Sequence, residues 1–172
     1  LISEKLGQGG NVYLHNNKAY MPWVEKELIA RLNGERLKNV IRWDRETDDL
    51  ALESQKYDAI VFVLGYHDLY HNAKDWSVNK DDFLKQLYNS LKVGGKLLIV
   101  DHSAVAGSGI AHSQKLHRID ASYVTKELIA KGYKLIKESS LLANPNDNRM
   151  GSPFSKDMRR KTDRFVLLFE KK

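Results

Sequence analysis

The chain has 172 residues, with 28 Lys and Arg against 22 Asp and Glu, and a formal charge of +6. That length suits one domain of roughly 100–200 residues, and 42% apolar with 29% charged residues is a globular composition, not a disordered one. No apolar run nears the ~18 residues that span a bilayer, and the absence of cysteine excludes disulfide scaffolds, Cys nucleophiles and thiolate metal sites.

Residues 1–6 read as the tail of a helix stopped by Gly7; the first residue is Leu and no signal-peptide pattern precedes Ser3, so the chain is expected to begin inside a domain. Residues 11–15 (NVYLH) form a short strand launched from Gly9-Gly10. In residues 22–32, Trp23, Val24, Glu27, Leu28 and Leu32 recur at helical spacing, and Gly34 sits where a helix would stop. Residues 39–43 (NVIRW) are a strand followed by an acidic connection over 44–49. The unbroken apolar run 57–64 (YDAIVFVL) predicts a strand buried on both faces.

Residues 80–91 form an amphipathic helix with Phe83, Leu84, Leu87, Tyr88 and Leu91 inward, and Gly94-Gly95 turns the chain into a strand over 96–100 (KLLIV). Residues 107–118 have no period and predict a loop. Asp120 then caps a helix running to Lys131, with Gly132 as the stop. Residues 133–139 and 165–170 are alternating strands, joined through a polar segment, 144–162, too long for a tight hairpin turn. Helices and strands thus alternate in one domain, 1–172, which is an α/β pattern with a mainly parallel sheet.

The block 91–101 (LKVGGKLLIVD) is similar to the helix–GG–strand–acid signature of class I S-adenosylmethionine-dependent methyltransferases, and 57–64 resembles the strand before it. The segments 116–120 (LHRID), 138–142 (ESSLL) with 144–147 (NPND), and 161–165 (KTDRF) resemble a bacterial subfamily of predicted methyltransferases. The resemblance implies a Rossmann-like three-layer sandwich. Its seven strands would run in the order 3-2-1-4-5-7-6, the last antiparallel. The predicted strands correspond to strands two to seven. The central first strand and its glycine-rich loop are missing: residues 7–10 (GQGG) lead into a strand, whereas that loop leads from a strand into a helix. A sheet split there leaves unpaired backbone edges, so about 30 or more further residues are expected upstream.

Ligands of open α/β sheets lie beyond the carboxyl ends of the strands. There stand His15, Asn16 and Asn17, where the resemblance implies a carboxylate on the ribose hydroxyls; Asn bonds a diol without charge assistance. Asp44 matches the acid near the adenine amino group, or else caps a turn. Leu64 and Gly65 are expected beside the cofactor. In the segment 65–71 (GYHDLYH), His67 is the candidate general base, Asp68 its orienting partner, and Tyr66 a π face for the sulfonium. The bland alternative is a polar loop whose aromatics pack on a helix. His102, His117 and Arg149 are candidate substrate contacts, whereas capping alone explains Asp120.

No metal is expected. His67 and His71 are spaced i, i+4, but no HExxH occurs and a third ligand would have to come from Asp101, His102 or His117. Residues 156–172 carry seven Lys and Arg, without interleaved aromatic stacking groups, so a nucleic-acid substrate is possible but not favoured. The expected activity is S-adenosylmethionine-dependent methyl transfer to a small-molecule acceptor; the alternative is an inactive methyltransferase-like binding module. A Rossmann oxidoreductase ranks last because the fingerprint glycines are absent. No membrane insertion is expected, and the compartment is cytoplasmic, or periplasmic if an upstream export signal exists.

Overall fold

The structure, a computed structural model, describes residues 2–34 and 37–172. The chain divides into two compact units, residues 1–51 and 52–172.

In the first unit, α1 (Ile2–Leu6) precedes β1 (Val12–Asn16), α2 (Met21–Leu32) and β2 (Val40–Asp44). β1 and β2 pair in parallel, from Val12 opposite Val40 to Asn16 opposite Asp44. A parallel pair needs a crossover, and α2 supplies it. Pro22 lies in the first turn of α2, where its missing N–H leaves no bond unmade. The apolar stripe expected on α2 is buried only at Leu28; Trp23 is 83% exposed, because two strands offer too little apolar surface to cover a whole helix face.

The second unit contains β3 (Tyr57–Val63), α3 (Lys80–Ser90), β4 (Leu91–His102), α4 (Ser113–Leu116), α5 (Ala121–Ala130), β5 (Tyr133–Ser139) and β6 (Arg164–Lys171). Its sheet has the order β3-β4-β6-β5. β3 runs parallel to β4, while β6 is antiparallel to both β4 and β5. This is the 4-5-7-6 run of the expected topology, with its antiparallel last strand. Burial alternates along β6, where Phe165, Leu167 and Phe169 enter the core with Leu97 and Ile99 of β4. Leu84 and Leu87 of α3 and Val124 and Leu128 of α5 are buried with them.

Three expectations change. β3 is not buried on both faces: Val61 and Val63 are 44% and 52% exposed. The exposed residues 59, 61 and 63 alternate with the half-buried Ile60 and Phe62, so only one face of β3 is covered. α3 stops at Ser90, and Gly94-Gly95 does not separate a helix from a strand, because β4 already begins at the buried, paired Leu91. The glycines lie in a bulge, where 92–95 loop out between the pairs Tyr57–Leu91 and Ala59–Lys96. Gly94 takes φ +74, and a Cβ at Gly95 would lie 2.8 Å from Lys92 O. Finally, the segment 107–118 is not wholly loop, since it contains the one-turn helix α4.

Candidate functional site

The parallel strands β3 and β4 end side by side, and a cluster of titratable side chains, His67, Asp68, Asp101 and His117, gathers at their carboxyl ends. Leu64 follows β3 with φ +55 and donates its N–H to Val100 O at 2.8 Å. At Gly65 a Cβ would lie 2.8 Å from the Phe62 ring, so the turn leaves no room for a side chain. A single 3-10 turn, His67–Tyr70, follows. It is anchored from below: the Tyr66 hydroxyl donates to Glu127 Oε2 at 2.6 Å, Tyr70 donates to the same oxygen, and Lys80 Nζ donates to Oε1 at 2.7 Å. Burial and then the Glu127 charge hold the Tyr66 hydroxyl far above its ordinary range.

Tyr66 is fully buried, with its hydroxyl turned to Glu127 of α5. It belongs to the packing of the turn on α5.

Asp101, wholly buried near the end of β4, organises the cluster. Its carboxylate accepts the His67 backbone N–H at 2.8 Å, the His102 N–H at 2.7 Å and His67 Nδ1–H at 2.7 Å. A carboxylate holding Nδ1–H sets the tautomer and directs Nε2 outward. Nε2 lies 3.2 Å from Asp68 Oδ1, and the same oxygen lies 3.3 Å from His117 Nδ1. Burial pushes the His67 pKa down, but the bonds to Asp101 and Asp68 more than offset this and raise it to about 9. Asp101 thus holds Nδ1 of His67, and Asp68 stands at the opposite ring nitrogen.

His117 reaches the cluster from a distant part of the chain. Ser103 and Ile119 form a parallel bridge, with Ile119 N–H donating to His102 O at 3.1 Å, which extends β4 by one pairing. His117 itself takes the left-handed conformation, φ +50. Its ring meets His67 edge-on at 5.3 Å between centroids and lies 4.7 Å from that of His71. His102 turns away from Asp68: its Nδ1 and the Thr162 hydroxyl are 2.7 Å apart, and burial drives its pKa down to about 4.

Underneath lies a pairing not recognised in the sequence. Arg118, fully buried, holds Asp147 with two bonds, Nη1 to Oδ2 at 2.9 Å and Nη2 to Oδ1 at 3.2 Å. Arg118 also donates to Ser103 O at 2.9 Å and Gly151 O at 2.7 Å. The segments 116–120 and 144–147, singled out separately in the sequence, meet here. Arg149 Nε lies 2.9 Å from Asp163 Oδ2, so this candidate substrate contact is paired within the long connection.

The remaining candidates lie in the first unit. Asn16 and Asp44 are opposite one another at the carboxyl ends of β1 and β2. Asn17 is buried, and its Oδ1 accepts the Tyr20 N–H at 3.2 Å, capping a short 3-10 turn. Asp44 is bonded to Arg42 and borders an open hollow of about 330 Å³ with Lys18, Met21, Arg45 and Glu46.

No protein family model matches the chain, and neither does any curated protein. Solved structures do. A SAM-dependent methyltransferase from Aquifex aeolicus is 18% identical with a TM-score of 0.65, over 98% of this chain and 73% of that one. The glycopeptide N-methyltransferase MtfA, in complex with S-adenosyl-L-homocysteine, is 10% identical with a TM-score of 0.60, over 99% and 76%. The [4+2]-cyclase SpnF is 11% identical with a TM-score of 0.56, over 99% and 79%. The fold is therefore the α/β fold of the class I methyltransferases, which also carries a cyclase.

Proposed function

We propose that the chain binds S-adenosylmethionine and transfers its methyl group to a small-molecule acceptor. The observation that carries the reading is the cluster of His67, Asp68, Asp101 and His117 at the carboxyl ends of β3 and β4, in a sheet of order β3-β4-β6-β5. Ligands of open α/β sheets bind at that end. Methyl transfer asks the protein mainly to align donor and acceptor, with polar groups beside the nucleophile. His67, Asp68 and His117 are proposed as those groups, with Asp101 as the residue that positions His67.

A second reading, a binding module without activity, is favoured by one observation. The carboxylate of Asp44 and the amide oxygen of Asn17, both expected to serve the cofactor, are engaged by Arg42 and by the Tyr20 N–H. Calorimetric titration of S-adenosylhomocysteine into the full-length protein separates the readings. Saturable micromolar binding at one site per chain supports the methyltransferase. Absence of binding overturns it and leaves the module.

A further inference from the structure

We propose that His67, Asp68 and His117 form a binding site for one divalent first-row transition metal ion of the Zn²⁺ type. The ligating atoms are His67 Nε2, Asp68 Oδ1 and His117 Nδ1, which all lie within 4.8 Å of one another. Two edges of that triangle are 3.2 and 3.3 Å. A tetrahedral ion about 2.0–2.1 Å from each ligand sets ligand atoms about 3.3 Å apart. Both edges already have that length.

The surroundings are those of a metal ligand set. His67 Nδ1–H is held by Asp101 at 2.7 Å, and Asp101 is wholly buried. A carboxylate on the far nitrogen of an imidazole fixes the ring and raises the basicity of the near nitrogen, the arrangement repeatedly found behind zinc-bound histidines. His67 is 2% exposed, so its ring has no freedom to swing away. His117 is held in a left-handed conformation by the Ser103–Ile119 bridge that follows it. Beside it, His71 Nδ1 is buried and has no hydrogen-bond partner among the described residues. A third imidazole nitrogen, a potential fourth ligand, is therefore present beside His117 and uncommitted.

Two imidazoles and one carboxylate select Zn²⁺, Co²⁺, Ni²⁺ or Fe²⁺ over Mg²⁺ and Ca²⁺, which demand oxygen ligands. Three protein ligands also leave a coordination position open. The His117 side chain, 23% exposed, puts that position within reach of a solute. Resting on the methyltransferase reading, the open position would take a hydroxyl oxygen of the acceptor and lower its pKa, so that its proton leaves to solvent. The oxygen–methyl bond would then form as the sulfur–methyl bond of S-adenosylmethionine breaks and S-adenosylhomocysteine departs.

The test uses full-length protein stripped with a chelator. Zn²⁺ is titrated calorimetrically, and Co²⁺ is followed by its visible absorption, which reports coordination number. One equivalent per chain is expected, unaffected by equimolar Mg²⁺, with affinity at least 100-fold weaker in both Asp68→Asn and His117→Gln. Thermal melts without metal establish that each variant folds; if His117→Gln does not, Asp68→Asn decides. No saturable uptake, or equal affinity in a folded variant, overturns the proposal. S-adenosylhomocysteine is titrated into the same metal-free samples. Zn²⁺ binding that depends on Asp68 without nucleoside binding would keep the ion site and remove the methyltransferase reading; the reverse result would remove only the ion site.

Discussion

Arg118 ties together three other points of the chain, at Ser103, Asp147 and Gly151. A guanidinium with no exposed surface is tolerated only when its donors are matched, and here Asp147, Ser103 O and Gly151 O match them. Arg118→Met leaves the Asp147 carboxylate buried without its counter-charge. Urea denaturation is expected to show a loss of about 3–5 kcal/mol, the range for breaking a buried pair from one side. The pair also gives a pH dependence. Burial pushes the Asp147 pKa up, but the N–H groups of Asp163 and Arg149 and the Arg118 charge outweigh it, so the folded value lies below the ordinary one. A depressed folded pKa contributes stability above the unfolded value of about 3.9, and that contribution disappears as pH falls through the folded value. The stability gap between the wild type and Asp147→Asn is therefore expected to narrow from pH 6 to pH 3. A gap that stays constant over that interval would contradict the assignment.

At the scale of elements, the ends of α5 show how closely local sequence and local structure agree. Asp120 Oδ1 accepts the Ser122 N–H at 2.9 Å, and Oδ2 accepts the Gly107 N–H at 2.7 Å, so one carboxylate caps the helix and ties down the preceding loop. Asp120→Ala should cost about 1–2 kcal/mol, the upper part of the capping range. Gly132 ends the helix at φ +97, where an added Cβ would lie 2.9 Å from the Tyr88 hydroxyl. Gly132→Ala should cost about 1–2 kcal/mol from the left-handed backbone alone, read as a lowered denaturation midpoint. Caps, breakers and periodicity are local, and for that reason helix and strand positions were legible. The pairings at the site were not. His67 and Asp101 are 34 residues apart and Arg118 and Asp147 are 29 apart, and no pattern of spacing connects them. Adjacency in the chain pointed to Asp68 as the partner of His67, whereas the parallel pairing of β3 with β4 brings Asp101 to Nδ1. The burial of β3 was misjudged for a related reason. An apolar run records the side chains available for burial, but what packs on each side of the sheet decides which faces are covered.

At the scale of the whole molecule, the two compact units differ in how much structure supports their hydrogen bonds. β1 and β2 form a two-stranded sheet, and two-stranded sheets are at best marginal without further support. Among the described residues, the buried hydrophobic side chains of the first unit come down to Leu28 in α2 and Leu50 beyond β2. In the second unit β4 and β6 are inner strands, each bonded on both edges, and Leu97, Ile99, Leu167 and Phe169 are almost fully buried. Amide exchange reports the free energy of the opening that exposes each N–H, and openings range from local fraying to global unfolding. Amides of residues 97–100 and 166–169 should therefore exchange only through global unfolding of their unit. Those of β1 and β2 should exchange at least about 100-fold faster, corresponding to an opening easier by about 3 kcal/mol. Hydrogen–deuterium exchange with peptide resolution measures both regions in one sample. Equal protection would mean that residues 1–51 open only when residues 52–172 do, and the division into two units would then have no energetic counterpart. Faster exchange in β1 and β2 that slows selectively when S-adenosylhomocysteine is added would tie the first unit to the ligand, because a ligand suppresses only those openings that destroy its site.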